Sequence, residues 1–106
     1  MIGVMNDTKW EELRVAMYEL GSLHPQFRIK DQDCEESSKW DGEWFYHFRS
    51  GGYDTIEHVD LRVNSPEQRN AVRDRLRMIH VPGIETEVGF RIYGWTKTGE
   101  FVDYIQ

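Results

Sequence analysis

A chain of 106 residues has room for one hydrophobic core, so any functional site must be built on a single scaffold. Hydrophobic residues make up 39% and charged residues 30%, and four Trp, five Tyr and five Phe supply enough bulk to fill a small interior. Thirteen Lys and Arg against nineteen Asp and Glu leave a net charge of -6, which opposes non-specific attraction to nucleic acid or anionic membrane and favours a basic partner.

The opening residues MIGVM are too few for a signal-peptide core or a spanning helix, and no later run approaches ~18 apolar residues, so a cytoplasmic protein without a membrane segment is the expectation. Met5 precedes Asn6 and is a candidate initiator, so residues 1 to 5 are expected as a disordered extension of one domain spanning 1 to 106. Cys34 is the only cysteine, which rules out an intrachain disulfide and a cysteine-based zinc cage. The carboxylates of Asp31, Asp33, Glu35 and Glu36 surround it and disfavour a thiolate, so Cys34 reads as inert.

The first helix is expected from about Thr8 to Leu20, with Thr8 and Glu11 as a capping box. Trp10, Leu13, Met17 and Leu20 recur at helical spacing with Ala16, and Gly21 is a natural stop. Alternation over residues 26 to 30 suits a short edge strand, and the acidic stretch from Asp31 to Ser38 reads as a solvated loop. Asp41-Gly42 between aromatic flanks predicts a tight turn.

Residues 43 to 49 and 55 to 63 read as two strands of a hairpin joined across Gly51-Gly52. Trp44, Tyr46 and Phe48 then share one face, expected to meet Val59, Leu61 and Val63 in the core. The other face holds Phe45, His47 and Arg49 beside His58, Asp60 and Arg62. Ser65-Pro66-Glu67-Gln68 opens the second helix, with an N-cap, a proline at the first helical position and Gln68 placed to complete a capping box. Val72, Leu76 and Ile79 form its buried stripe, flanked by Ala71 and Met78, and Val81-Pro82-Gly83 lies beyond its end. Residues 89 to 96 and 101 to 105 are expected as a last hairpin turning at 97 to 100. The fold class is therefore α+β, a mostly antiparallel sheet of four or five strands with both helices on one face and the other face wet.

Several constellations carry possible chemistry. A register setting His47 opposite His58 near Asp60 would give two imidazoles and a carboxylate able to bind a metal or small ligand, although such residues are also ordinary on the solvent side of a sheet. Arg69, Arg73 and Arg77 make a basic helix stripe, whose bland reading is a solvated face meeting local acids. Asp31, Asp33, Glu35 and Glu36, with Trp40 and Tyr53, are candidates for a docking surface; solubility accounts for the acids and core packing for most aromatics equally well. Gly51-Gly52 lacks the following Gly-Lys-Ser/Thr of a phosphate loop, and Asp31-Gln32-Asp33 lacks the later positions of a calcium loop. No catalytic residue and no cofactor is assigned.

Asn6-Asp7-Thr8-Lys9-Trp10, the run from Trp40 to Arg49, Gly51-Gly52-Tyr53 with Thr55-Ile56-Glu57, and Ile79-His80-Val81-Pro82-Gly83 together resemble a family of small uncharacterised bacterial proteins, over nearly the whole chain from Asn6 to Ile105. That resemblance implies no activity and no site residue. In size and charge alone the chain is similar to immunity proteins that neutralise basic toxins. The leading expectation is thus a non-enzymatic acidic interaction domain with a basic protein partner, immunity-like in its narrowest form. The alternative is a small-molecule or metal-binding domain, or an enzyme, using His47, His58 and Asp60. Nucleic acid is disfavoured as a partner, and the oligomeric state is not set by the sequence.

Overall fold

In the computed structural model, which describes residues 1–98, 100 and 102–106, the chain runs β1 (Ile2–Gly3), α1 (Asp7–Glu19), a 3-10 turn (Gly21–Leu23), β2 (Gln26–Asp31), β3 (Ile56–Arg62), α2 (Pro66–Ile79), β4 (Gly83–Glu85), β5 (Gly89–Tyr93) and β6 (Trp95–Thr96). The main sheet has four strands in the order β2-β3-β5-β4, all antiparallel, and β1 pairs with β6 in a second, two-stranded sheet. This is the expected α+β class.

Both helices form where apolar residues recur at helical spacing. Trp10, Leu13, Ala16 and Met17 of α1 and Val72, Leu76 and Ile79 of α2 are buried in one cluster with Phe27, Val59, Leu61, Phe90 and Ile92 of the sheet, so both helices cover the same sheet face. The cap of α1 differs from expectation. Asn6, and not Thr8, is the N-cap, its side chain accepting from the Lys9 N–H at 2.8 Å, while Glu11 turns to Arg14 and Tyr53. For α2 the Ser65 hydroxyl accepts from the Gln68 N–H at 3.1 Å as expected, and Gln68 also donates to the carbonyls of Leu23 and His24, tying α2 to the 3-10 turn. The α2 terminus closes on His80 in the left-handed conformation, φ 66°, and the Lys9 ammonium donates to the Ile79 carbonyl that the helix leaves free.

Alternation along β3 sends Val59 and Leu61 into the core and His58, Asp60 and Arg62 to the open face. A register shift between Lys30 and Asp31 leaves Glu57 without an opposite residue, and this bulge returns Ile56 to the core side, where it is buried. Residues 38 to 41 run beside the outer edge of β2, with Phe27 and Asp41 exchanging backbone hydrogen bonds at 2.7 and 2.8 Å, so that edge is not left open.

Residues 43 to 49 are not a strand. From Trp44 on they form successive hydrogen-bonded turns, with Arg49 donating to the Tyr46 carbonyl and Ser50 to that of His47, and β3 pairs with β2 and β5 instead. Trp44 and Phe48, one helical turn apart, are both buried, whereas Tyr46 is 61% exposed. The Glu43 carboxylate accepts from the N–H groups of Phe45, Tyr46 and His47, satisfying the donors at the start of the turns. The last expected hairpin is also rearranged. Among the described residues, Asp103 and Ile105 exchange backbone hydrogen bonds with Gly83 and Val81; Gly99 of the expected turn and Phe101 of the expected strand lie outside the described residues. Residues 1 to 5 are placed against this body through β1 and the Val4 N–H, which donates to the Gly94 carbonyl at 2.9 Å.

The start of β5 tolerates no side chain. A Cβ on Gly89 would collide with the Leu61 carbonyl oxygen, while one on Gly51 would meet nothing within 4 Å. Gly89→Ala is therefore expected to lower unfolding free energy by about 2–3 kcal/mol and Gly51→Ala to change it by less than about 0.5 kcal/mol, as read from urea midpoints.

Candidate functional site

The open sheet face is organised by register. Asp60 lies opposite Arg28 on β2 and Arg91 on β5, and Arg91 lies opposite Ile84 on β4, so one row of side chains crosses the whole sheet. The Asp60 carboxylate, 5% exposed, accepts from Arg91 Nε at 2.7 Å, Arg91 Nη2 at 3.2 Å and Arg28 Nε at 3.1 Å. Burial alone would raise its pKa, but the hydrogen bonds from Arg91 and Arg28 outweigh that and hold it below the usual range. His58 lies in the next row between Lys30 and Tyr93, and burial, with the Arg91 charge, pushes its pKa down. Trp40 lies against Arg28 and Arg62, whose guanidinium carbons are 4.6 and 4.5 Å from its ring centre.

His47 does not join this face. The strand that would have set it opposite His58 is absent, and its Nδ1 instead lies 2.8 Å from Asp41 Oδ2. Of the three residues expected together, only His58 and Asp60 are neighbours, at 4.0 Å. Among the described residues no group of three or more His, Cys, Asp or Glu side chains gathers as a metal site, and no helix is long and apolar enough to cross a membrane.

The expected docking residues separate into four environments. Asp33, Glu35 and Glu36 are exposed, with Cys34, on the loop after β2. Asp31 accepts from the Thr55 hydroxyl at 3.0 Å, and Trp40 is engaged by the two arginines. Tyr53 donates from its hydroxyl to Glu11 at 2.7 Å, and its ring packs near Trp10 and Phe48. Hydrogen bonds from Arg14 and then Tyr53 pull the Glu11 pKa down to about 2, and burial followed by the hydrogen bond to Glu11 pushes the Tyr53 phenol up. Arg69 and Arg73 of the basic stripe both reach Glu85, at 2.8 and 2.6 Å, so two of its three charges are met within the protein; Arg77 remains exposed.

A surface not singled out by sequence lies between the helices. Val15 and Ala16 of α1 and Met78 and Ile79 of α2 line a groove of about 650 Å³, with Asp7, Glu11, Glu12 and Glu19 also in its lining and no lysine or arginine. Met78 is 80% exposed and Val15 40%. The available signal was modest: two apolar residues standing off the buried stripes of otherwise charged helix faces.

These features define a two-helix α+β protein with a four-stranded and a two-stranded sheet and a partly apolar groove between the helices. The chain belongs to DUF6678, a family of unknown function whose family model matches residues 1–99. No curated protein and no solved structure matches it.

Asp60 and His58 set an acid sensitivity. The folded pKa of Asp60 lies below its unfolded value, so its contribution is present above about pH 4 and is lost as pH falls through the folded value. His58 acts in the same direction from about pH 6.5 downward, because the unfolded imidazole takes up its proton first. Asp60→Asn is expected to cost about 1–3 kcal/mol at pH 7, the half-exposed arginines limiting the loss, and to flatten the fall in stability below about pH 5 measured by urea titration.

Proposed function

We propose that the protein is a non-enzymatic interaction domain that takes a basic protein partner into the groove between α1 and α2. One observation carries the reading: exposed Val15 and Met78 lie in a groove lined by four carboxylates, of which Glu11 and Glu19 pair with Arg14 and Arg75 and Asp7 and Glu12 are exposed. An apolar anchor flanked by Lys or Arg would bury its stem against Val15 and Met78 and meet Asp7 and Glu12, both exposed, at the margin. Apolar burial would supply the affinity, and the carboxylates would speed encounter and reject acidic competitors. A basic toxin held inactive by this acidic chain is the narrower form of the proposal, supported by size and charge. The alternative built on His47, His58 and Asp60 is less favoured, because Asp60 is committed to Arg28 and Arg91 and His47 to Asp41.

Photo-crosslinking from position 78 in the native host, followed by binding measurements with the purified captured protein, tests this. The expected partner is basic, binds less tightly as salt rises, and loses at least about tenfold in affinity to the Val15→Asp, Met78→Asp double variant with its fold unchanged. An acidic partner, or equal binding by the double variant, would remove the proposal.

A further inference from the structure

A second concave site lies between β2 and the turns that follow Glu43. It is a cleft of about 400 Å³, within the range of small-ligand sites, with Phe27, Ile29, Trp40 and Phe48 among its apolar lining. Asp31, Asp41, His47 and Lys39 supply its charged and titratable groups, and Ser38, Ser50, Gly51 and Gly52 complete the polar wall. None of these residues belongs to the α1–α2 groove.

The lining favours one sign of charge. Asp41 is held in place, its Oδ1 accepting from the Glu43 N–H at 2.8 Å and its Oδ2 lying 2.8 Å from His47 Nδ1. Burial opposes its ionisation, yet the Glu43 N–H and the His47 ring keep its pKa below the usual range, so the carboxylate is charged at neutral pH. Asp31 is anchored through the Thr55 hydroxyl. Against these two carboxylates stands Lys39, whose side chain is exposed. Asp33, Glu35 and Glu36 are exposed on the loop that joins Asp31 to Ser38 and add to the negative charge of that segment. Fixed carboxylates beside an apolar wall suit an organic cation through charge-assisted hydrogen bonds.

From this combination of apolar lining and fixed carboxylates we infer that the cleft binds an organic cation, an ammonium or guanidinium on a short apolar stem, with the charge at Asp41 and Asp31 and the stem against Ile29 and the Trp40 edge. The cation is either a free amine or the side chain of a lysine or arginine on a protein. His47 reports occupancy, because a cation that reaches Asp41 competes for the oxygen facing the imidazole.

The test is a titration followed through the His47 ring and the backbone amides of Lys39, Asp41 and Gly51 by NMR. Phenethylamine and cadaverine serve as free amines, N-acetyl-lysine methylamide and N-acetyl-arginine methylamide as protein side chains, and 2-phenylethanol as the uncharged control. Saturable shifts are expected with cations and not with the alcohol, weakened at least about tenfold by Asp41→Asn and by Gly51→Trp. Gly51 lines the cleft and a Cβ there meets nothing within 4 Å, so Gly51→Trp adds bulk at the cleft wall without a backbone clash and decides the matter should Asp41→Asn disturb the fold. Binding of the free amines supports a small-molecule site, and binding of the blocked amino acids alone supports capture of a protein side chain. Shifts absent with every cation, equal with the alcohol, or undiminished in a folded Gly51→Trp protein would overturn the inference. The Val15→Asp, Met78→Asp variant should titrate like the parent chain, so failure here and failure of the groove are separate results.

Discussion

Burial of Trp44 and Phe48 is the constraint on which the arrangement of the molecule's surfaces depends. The chain from Trp40 to Tyr53 lies outside every helix and strand, and it is held by its aromatic rings. Trp44 and Phe48 are 4.7 Å apart between ring centres and lie 4.6 and 5.1 Å from Phe27, and removing either would cost about 3–5 kcal/mol on the scale of large aromatic truncations. Two polar ties fix the approach: Trp44 Nε1 donates to the Pro25 carbonyl at 2.8 Å, and buried Arg14 donates to the Phe45 carbonyl at 3.0 Å. Once this segment is seated, Trp40 lies against the open-face arginines, His47 meets Asp41, and Tyr53 reaches Glu11.

The same packing explains how a net charge of -6 is distributed. Arg14, Arg28, Arg69, Arg73 and Arg91 each pair with a carboxylate of the protein, several at low exposure. Asp33, Glu35 and Glu36 on the loop and Asp7 and Glu12 on α1 are instead exposed. These arginines thus tie the sheet and helices together, while the loop and α1 acids face outward beside exposed cations such as Arg49 and Arg77.

The second helix, the edge strand over 26 to 30 and the core positions Val59 and Leu61 were legible because each is decided locally. Ser65 and Pro66 start α2 through its own free N–H groups, and a period of two or 3.6 assigns a face once the element is known. The segment 43 to 49 was misread for a specific reason. Trp44, Tyr46 and Phe48 fit an alternating strand, but Trp44 and Phe48 alone fit one turn of helix, and β-propensity favoured the strand. Glu43 decided otherwise by receiving three N–H groups, a choice that leaves no mark in a count of apolar positions.

By itself the sequence determined the class of fold, the two helices, one face of the central strand and the acidic balance, since all of these follow from residue type and spacing. Only the tertiary structure decided which polar groups meet. Asp60 joined Arg28 and Arg91 because strand order put β2 and β5 on either side of β3, and His47 joined Asp41 because aromatic burial carried its segment away from the sheet. Val15 and Met78 became a groove because two helices far apart in sequence pack side by side, a contact between residues that no local pattern relates.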